Sequence, residues 1–110
     1  MEYIDFQDFA KVDIRTGKIV DVEDFASAKK PAYKLRIDFG EIGIKRSSAQ
    51  ITKLYKKEEL VGKEIIAVVN FKPKQVADFM SEVLVLGIET EKGVVLLTTD
   101  KETEVGKRVS

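Results

Sequence analysis

The strongest constraint on this sequence is an alternation of apolar and polar residues along two stretches. From Tyr33 to Phe39, every second residue is apolar and the residues between them are charged. Val12 to Val22 follows a similar pattern. A period of two places successive side chains on opposite faces of a β-strand. The sequence therefore predicts two strands, each with one face in a core and the other in solvent.

Gly17 stands in the middle of the first predicted strand. A glycine inside a strand weakens it and commonly marks a bend or a bulge. We therefore expect one long, bent strand that belongs to both sheets of a small barrel. The alternation also predicts that Val12, Ile14, Val20 and Val22 share one face of this strand.

The rest of the chain completes an all-β order. Residues 42–48 are predicted to form a third strand, and the spacing of Ile51, Leu54 and Tyr55 predicts a short amphipathic helix over residues 49–55. Further strands are predicted at residues 65–69, 83–88 and 94–97, with a hairpin turn between the last two. A helix after the third of five strands is typical of the oligonucleotide/oligosaccharide-binding (OB) fold. We predict one all-β domain, residues 1–110, built as a five-stranded OB barrel.

Two of the apolar runs, residues 65–69 and 83–86, do not alternate. Strands of this kind are buried on both faces, whereas a small barrel has a single interior. An identical subunit is an economical cover for the outer face. We therefore predict a homodimer in which N- and C-terminal extensions take part. The alternative is that apolar residues near the N-terminus fold back over the barrel, namely Tyr3, Ile4, Phe6 and Phe9.

The composition limits the chemistry that the chain can perform. It contains no His and no Cys, so the most common general base and the thiolate metal ligands are missing. Ser47 and Ser48 follow Lys45 and Arg46, so a Ser-Lys pair is conceivable, but serines that close a strand and cap the following helix are the simpler interpretation. We predict a protein that is not an enzyme and binds no cofactor or metal. No apolar run approaches the roughly 20 residues that span a bilayer, so we expect a cytoplasmic protein without membrane insertion.

Charge is balanced overall but uneven along the chain. The 19 basic and 19 acidic residues cancel, yet residues 26–75 carry 12 basic and 5 acidic side chains. Alternation predicts that Lys34 and Arg36 face away from the core, with Lys45 beside them on the third strand. Lys72 and Lys74 lie in a loop that would flank this surface. Such a basic face suggests phosphate binding with a steep dependence on salt, although exposed strand positions also need polar residues for solubility.

A second candidate site is apolar. Four apolar residues interrupt an otherwise polar loop region, and they are Phe71, Val76, Phe79 and Met80. Phe and Met side chains suit an adaptable pocket for polypeptide. The same residues could instead be buried in a dimer interface.

Several segments together resemble a known family. Residues 13–19 (Asp-Ile-Arg-Thr-Gly-Lys-Ile) resemble the opening strand of tRNA-binding domains, and residues 34–40, 58–63 and 70–74 resemble later segments of those domains. Residues 47–52 (Ser-Ser-Ala-Gln-Ile-Thr) and 81–87 (Ser-Glu-Val-Leu-Val-Leu-Gly) resemble the CsaA branch of export-related chaperones. The resemblance implies a homodimeric OB fold. It also implies binding of unfolded or secretory polypeptides together with the protein-export ATPase, or binding of tRNA by its shape.

The resemblance also marks the residues expected to contact RNA. They are Lys34, Arg36, Lys45, Arg46, Gln50, Asn70, Lys72, Lys74 and Ser81. Two acidic residues depart from the RNA-binding members of the family, because Glu82 replaces a neutral amide and Asp78 stands where a glycine is usual. Both add negative charge beside the expected RNA surface.

Three functions remain open from the sequence. The first is a dimeric chaperone that holds unfolded polypeptide in apolar pockets rimmed by lysines. The second is a tRNA-binding protein that uses the basic face. The third, which is weaker, is a dimerisation appendage that has lost ligand binding.

Overall fold

The two alternating stretches form the centre of an antiparallel sheet. In the computed structural model, which describes all residues from Met1 to Ser110, β1 (Ile14–Asp24) pairs with β2 (Tyr33–Asp38). β2 in turn pairs with β3 (Ile44–Ala49). The apolar residues of β2 face the core as predicted, with Leu35 and Ile37 fully buried and Tyr33 nearly so.

Two later strands extend the sheet toward closure. β4 (Glu64–Val68) pairs with β1, and β7 (Leu84–Val85) pairs with β4, which gives the order β3-β2-β1-β4-β7. The two ends of this sheet meet where the Glu82 N–H donates to the Arg46 carbonyl of β3 at 2.8 Å. The result is a nearly closed five-stranded antiparallel barrel, which confirms the predicted OB-type fold.

Two small hairpins and two short helices lie outside the five-stranded sheet. The hairpins are β5 (Lys74–Val76) with β6 (Phe79–Ser81), and β8 (Gly87–Thr90) with β9 (Gly93–Leu96). The helices are α1 (Phe6–Ala10) and α2 (Lys57–Leu60), and a single 3-10 turn covers Gly40–Ile42. The predicted turn between the last two strands is confirmed. No helix is long and apolar enough to cross a membrane.

The predicted helix over residues 49–55 is wrong in position. Residues 50–56 form an irregular segment with a turn, and the helix after β3 is instead α2. Ile51 is buried in the core, and the Tyr55 hydroxyl accepts a hydrogen bond from the Leu96 N–H at 3.0 Å. The four-residue spacing of Ile51 and Tyr55, which predicted a helix, instead reflects the docking of both side chains onto the barrel. α2 begins at the next residues because the Glu59 carboxylate accepts the Lys56 N–H at 2.7 Å.

A bulge in β1 changes which residues face the core. Ile19 pairs with Ile37, but the next paired residue is Asp21 opposite Arg36, so Val20 has no partner. One extra residue in a strand reverses the alternation beyond it. Ile19 and Val22, opposite Ile37 and Leu35, therefore both face the core, whereas Val20 is 41% exposed. The prediction that Val20 and Val22 share a face is wrong.

The non-alternating run of β4 is buried within a single chain. Every residue from Ile65 to Val68 is at most 9% exposed, so β4 does not require a second copy as its cover. In the other run, by contrast, Leu84 remains 49% exposed. The N-terminal residues Tyr3, Ile4 and Phe6 are also largely exposed, so the alternative in which they fold back over the barrel is wrong.

The C-terminal segment docks along the first half of β1. The Gly106 N–H donates to the Thr16 carbonyl at 2.7 Å, and the Val109 N–H donates to the Ile14 carbonyl at 2.8 Å. Asp13 fixes this arrangement, because its carboxylate accepts two hydrogen bonds from Arg15, at 2.7 and 3.2 Å. Arg15 also donates to the Gly106 carbonyl, and Arg108 lies 3.8 Å from the same carboxylate.

We expect Asp13→Asn to lower the free energy of unfolding by about 1 kcal/mol, in the range of a partly exposed charged hydrogen bond. The Arg15 hydrogen bonds hold the pKa of the Asp13 carboxyl below its ordinary value of 3.8. A lowered pKa stabilises the fold above the ordinary value, and this stabilisation is lost as pH falls through the folded-state pKa.

Thermal unfolding of both proteins between pH 7 and pH 2 checks this prediction. The difference in melting temperature between wild type and Asp13→Asn should be greatest near neutral pH and should shrink below the ordinary carboxyl pKa. A difference that is independent of pH would show that the charge of Asp13 is not what stabilises this contact.

Candidate ligand groove and outer strand face

The outward side chains of β1, β2 and β3 form one surface, which we call the outer strand face. Residues paired across antiparallel strands share a face. Register places Lys34 opposite Ser48 of β3, and Arg36 opposite Arg46. Lys34 and Arg36 therefore face away from the core as predicted, and Arg46 lies beside them.

Lys45 does not join them. It pairs with Ile37, which is fully buried, so Lys45 lies on the opposite side of β3 from Arg46. The alternation of side chains makes neighbours in sequence face opposite ways. The prediction that Lys45 lies beside Lys34 and Arg36 is therefore wrong.

The outer strand face is balanced in charge, because β1 contributes acidic residues to it. Glu23 stands opposite Lys34, Asp21 opposite Arg36, and Lys18 opposite Asp38. The excess of basic residues in the middle of the chain thus does not make this face basic. The acidic residues of β1 precede that block in sequence but lie beside its cations in the fold.

Two further acidic residues, Glu82 and Asp78, also lie beside these cations. A carboxylate oxygen of Glu82 accepts the Arg46 main-chain N–H at 3.0 Å and lies 3.4 Å from the Arg46 guanidinium. Asp78 accepts a 2.7 Å hydrogen bond from Ser27, which lowers the pKa of its carboxyl, and the nearby charge of Lys34 lowers it further. The outer strand face is therefore poorly suited to a polyanion.

Two of these cations also lie over the faces of aromatic rings. The Lys34 ammonium lies 5.0 Å from the centre of the Phe25 ring and 5.4 Å from that of Phe79, and the Arg46 guanidinium lies 5.5 Å from the Phe79 ring. The two rings meet edge to face at 5.5 Å. Cation–π contacts at these distances are favourable. Phe79 therefore packs against the cations of the outer strand face and does not line an open pocket.

A separate groove lies between the β5–β6 hairpin and the start of β7, with a volume of about 660 Å³. We call it the ligand groove. Phe71, Val76 and Leu84 provide apolar side chains along it, with Phe71 56% exposed and Leu84 49% exposed. Its charged side chains are Lys72, Lys74 and Glu82. An open apolar groove with a polar rim is the usual form of a binding site for an organic ligand or a peptide.

The predicted site residues divide between the groove and other parts of the fold. Gln50, Lys72, Lys74 and Ser81 line the groove. Asn70 does not, because its amide accepts the Asp13 N–H at 2.9 Å and donates to the Lys11 carbonyl at 2.8 Å. Asn70 thus holds the N-terminal segment.

The predicted polypeptide-binding residues divide in the same way. Phe71 and Val76 line the groove. Met80 pairs with Gln75 across the β5–β6 hairpin, and Val76 pairs with Phe79, so Met80 lies on the opposite face of the hairpin from Val76 and Phe79. The alternation of two short strands, which the loop-like sequence did not reveal, causes this separation.

Sequence reasoning missed Leu84 as a groove residue. It lies in a run of apolar residues in which no position stands out as exposed. Its exposure follows from its place at the start of β7, the last strand added to the sheet. The apolar run predicted an uncovered face but not which of its residues would remain exposed.

Comparison with known proteins agrees with this fold over nearly the whole chain. Residues 14–108 match the family model described as "Putative tRNA binding domain". Among solved structures, the CsaA chaperone protein of Picrophilus torridus is 60% identical, with a TM-score of 0.94 over 98% of this chain and 100% of that one. The chaperone CsaA of Bacillus anthracis strain Ames is 50% identical, with a TM-score of 0.93 over 99% of this chain and 100% of that one.

A longer curated relative matches in part of its length. The methionine–tRNA ligase of Pyrococcus horikoshii is 39% identical over 109 residues, which is 99% of this chain but 15% of the ligase. The chain thus spans about 15% of that relative. On the family match and the two full-length CsaA matches, the chain belongs to the tRNA-binding-domain family and is a CsaA-type member of it.

Proposed function

We propose that this chain is a non-enzymatic chaperone that binds unfolded or secretory polypeptide segments in the ligand groove. The observation that supports it most strongly is the exposure of Phe71 and Leu84 along a groove rimmed by Lys72 and Lys74. Unfolded chains expose apolar side chains that folded proteins bury, and exposed apolar surface binds them. The CsaA proteins that match over their full length are described as chaperones.

The charges of the groove favour an apolar segment that carries acidic residues. Lys72 and Lys74 are exposed, and neither forms an ion pair within the chain. They can therefore pair with carboxylates of a ligand. A surface ion pair contributes little affinity by itself, so the apolar side chains should provide most of the binding energy and the lysines should select among sequences.

We further propose that the protein works as a homodimer. Tyr3, Ile4 and Phe6 are exposed just before and at the start of α1, and a second subunit would bury such a cluster. Two copies would present two grooves, which increases the apparent affinity for a long unfolded chain that engages both.

Polypeptide binding can be measured by fluorescence anisotropy with a labelled protein that is permanently unfolded by reduction and carboxymethylation. We expect binding that persists at physiological salt, since burial of apolar surface is insensitive to screening. Absence of binding to this polypeptide at any salt concentration would refute the proposed function.

A second candidate function is tRNA binding, which the family match favours. The acidic partners of Arg46 and Lys34 oppose it. We therefore expect the wild-type protein to bind bulk tRNA weakly and to release it when the salt concentration is raised modestly. Replacing both carboxylates, as in Glu82→Gln with Asp78→Asn, should strengthen tRNA binding and steepen its dependence on salt by about two counterions. The glutamine retains a carbonyl that can accept the Arg46 N–H.

Anisotropy of labelled bulk tRNA, titrated with salt, checks this prediction. The matched control is Glu89→Gln with Glu91→Gln, which removes two charges from the β8–β9 hairpin, away from the outer strand face. Equal gains in both double variants would mean that only net charge matters. If the wild-type protein still binds tRNA at physiological salt, tRNA becomes better supported than polypeptide as the ligand.

A further inference from the structure

The barrel is joined incompletely between its two end strands, β3 and β7. The Arg46 carbonyl accepts the N–H groups of both Glu82, at 2.8 Å, and Val83, at 3.4 Å. Beyond Arg46 no β-ladder connects the two strands. The Ser48 N–H bonds to the Ser81 hydroxyl at 3.2 Å instead of to main chain. On the edge of β3, the main-chain N–H groups of Arg46 and Ser48 thus bond to side chains where a neighbouring strand would otherwise lie.

This open seam is a cavity that continues the ligand groove. It has a volume of about 370 Å³, and residues 48–51 line one side while residues 84–87 line the other. Ser48, Gln50 and Leu84 line both this cavity and the ligand groove. One continuous channel therefore runs from Lys72 and Lys74 past Leu84 and into the seam.

Main-chain groups in the seam point toward the channel. Arg46 and Ser48 direct their N–H groups away from β2, as their bonds to Glu82 and Ser81 show. Gln50 directly follows β3 and lines both the ligand groove and the seam. The Gln50 N–H has no hydrogen-bond partner within the chain. An unpaired main-chain donor beside an apolar cavity favours pairing with another polypeptide.

We propose that an extended segment of client polypeptide adds as an extra strand beside the end of β3, where it pairs with the Gln50 N–H and takes the place of the Ser81 hydroxyl at the Ser48 N–H. This inference rests on the proposed function and specifies how the same groove recognises its ligand. Main-chain hydrogen bonds hold the client regardless of its sequence, while alternate side chains contact the protein. An apolar side chain packs beside Leu84, and acidic residues outside the seam face Lys72 and Lys74.

The test uses the full-length protein and a set of synthetic peptides that share one sequence. The sequence has an apolar centre and an acidic end, and two versions carry N-methyl groups on one or the other alternate set of main-chain amides. Only one alternate set can face β3. We expect one methylated version to bind about tenfold more weakly than the unmodified peptide, which corresponds to one or two lost hydrogen bonds. The unmodified peptide should also slow hydrogen exchange at the Gln50 amide.

The outcomes separate the two proposals. If all peptide versions bind equally and exchange at Gln50 is unchanged, strand addition is wrong while polypeptide binding stands. If neither the peptides nor a permanently unfolded protein binds, the proposed function is wrong and strand addition is wrong with it. Weaker binding of one methylated version with slower exchange at Gln50 supports strand addition.

Discussion

Replacing Gly17 by alanine is expected to lower the free energy of unfolding by about 3 kcal/mol, at the upper end of the cost of overpacking a core. Gly17 adjoins Lys18, the residue at which β1 pairs with both β4 and β2. A Cβ atom there would stand 2.7 Å from the Cγ2 of Ile37 and 2.7 Å from a ring carbon of Phe39. Both side chains are fully buried, so neither can move without displacing its neighbours.

The melting temperature measures this effect, and it should fall by roughly 10–20 °C in a domain of this size. Gly62→Ala is the matched control. Gly62 has a φ of +89° in the turn closed by the Lys63 N–H and the Leu60 carbonyl, and a Cβ atom there would meet nothing within 4 Å. Its substitution should therefore cost only the conformational strain of about 1–2 kcal/mol. If Gly17→Ala proves no more destabilising than Gly62→Ala, close packing against Ile37 and Phe39 does not explain the glycine.

Replacing Phe71 by alanine is expected to weaken binding of unfolded polypeptide about tenfold or more, as is common for an aromatic residue at the centre of a binding site. The ring is 56% exposed on the ligand groove. Its loss removes apolar contact area for the client, yet it removes little packing within the protein. The melting temperature should change by only a few degrees.

Ile88→Ala is the control for Phe71. Ile88 is 59% exposed, but it pairs with Val95 on the β8–β9 hairpin and does not line the groove. Anisotropy titrations with the unfolded polypeptide should show wild-type affinity for Ile88→Ala. Equal losses in the two variants would mean that exposed apolar surface binds clients without a defined site.

The fold was predictable because its strongest signals are local. Alternation in residues 33–39 and 12–22 identifies two strands from neighbouring residues alone. The bulge at Val20 was not predictable, since it depends on how β1 must pair with β2 and β4 at once. The position of the helix also failed, because Ile51 and Tyr55 have helical spacing but dock onto the barrel from an irregular segment.

The candidate site was predictable only in part. The lysines and Phe71 could be named from the sequence, because few loops combine those residue types. The charge of the outer strand face could not, since Asp21 and Glu23 reach it through the register of β1 with β2. Likewise, Asn70 looks like a ligand-binding amide in sequence, whereas both of its hydrogen-bonding groups hold the N-terminal segment.

The proposed function requires that unfolded polypeptide binds in the ligand groove. Amide chemical shifts of the ¹⁵N-labelled protein, recorded while the permanently unfolded polypeptide is added, test that claim directly. We predict that the largest changes occur at Phe71, Lys74, Gln50 and Leu84, with little change at Lys34 and Arg36. Changes confined to the outer strand face, or spread evenly over the surface, would contradict it.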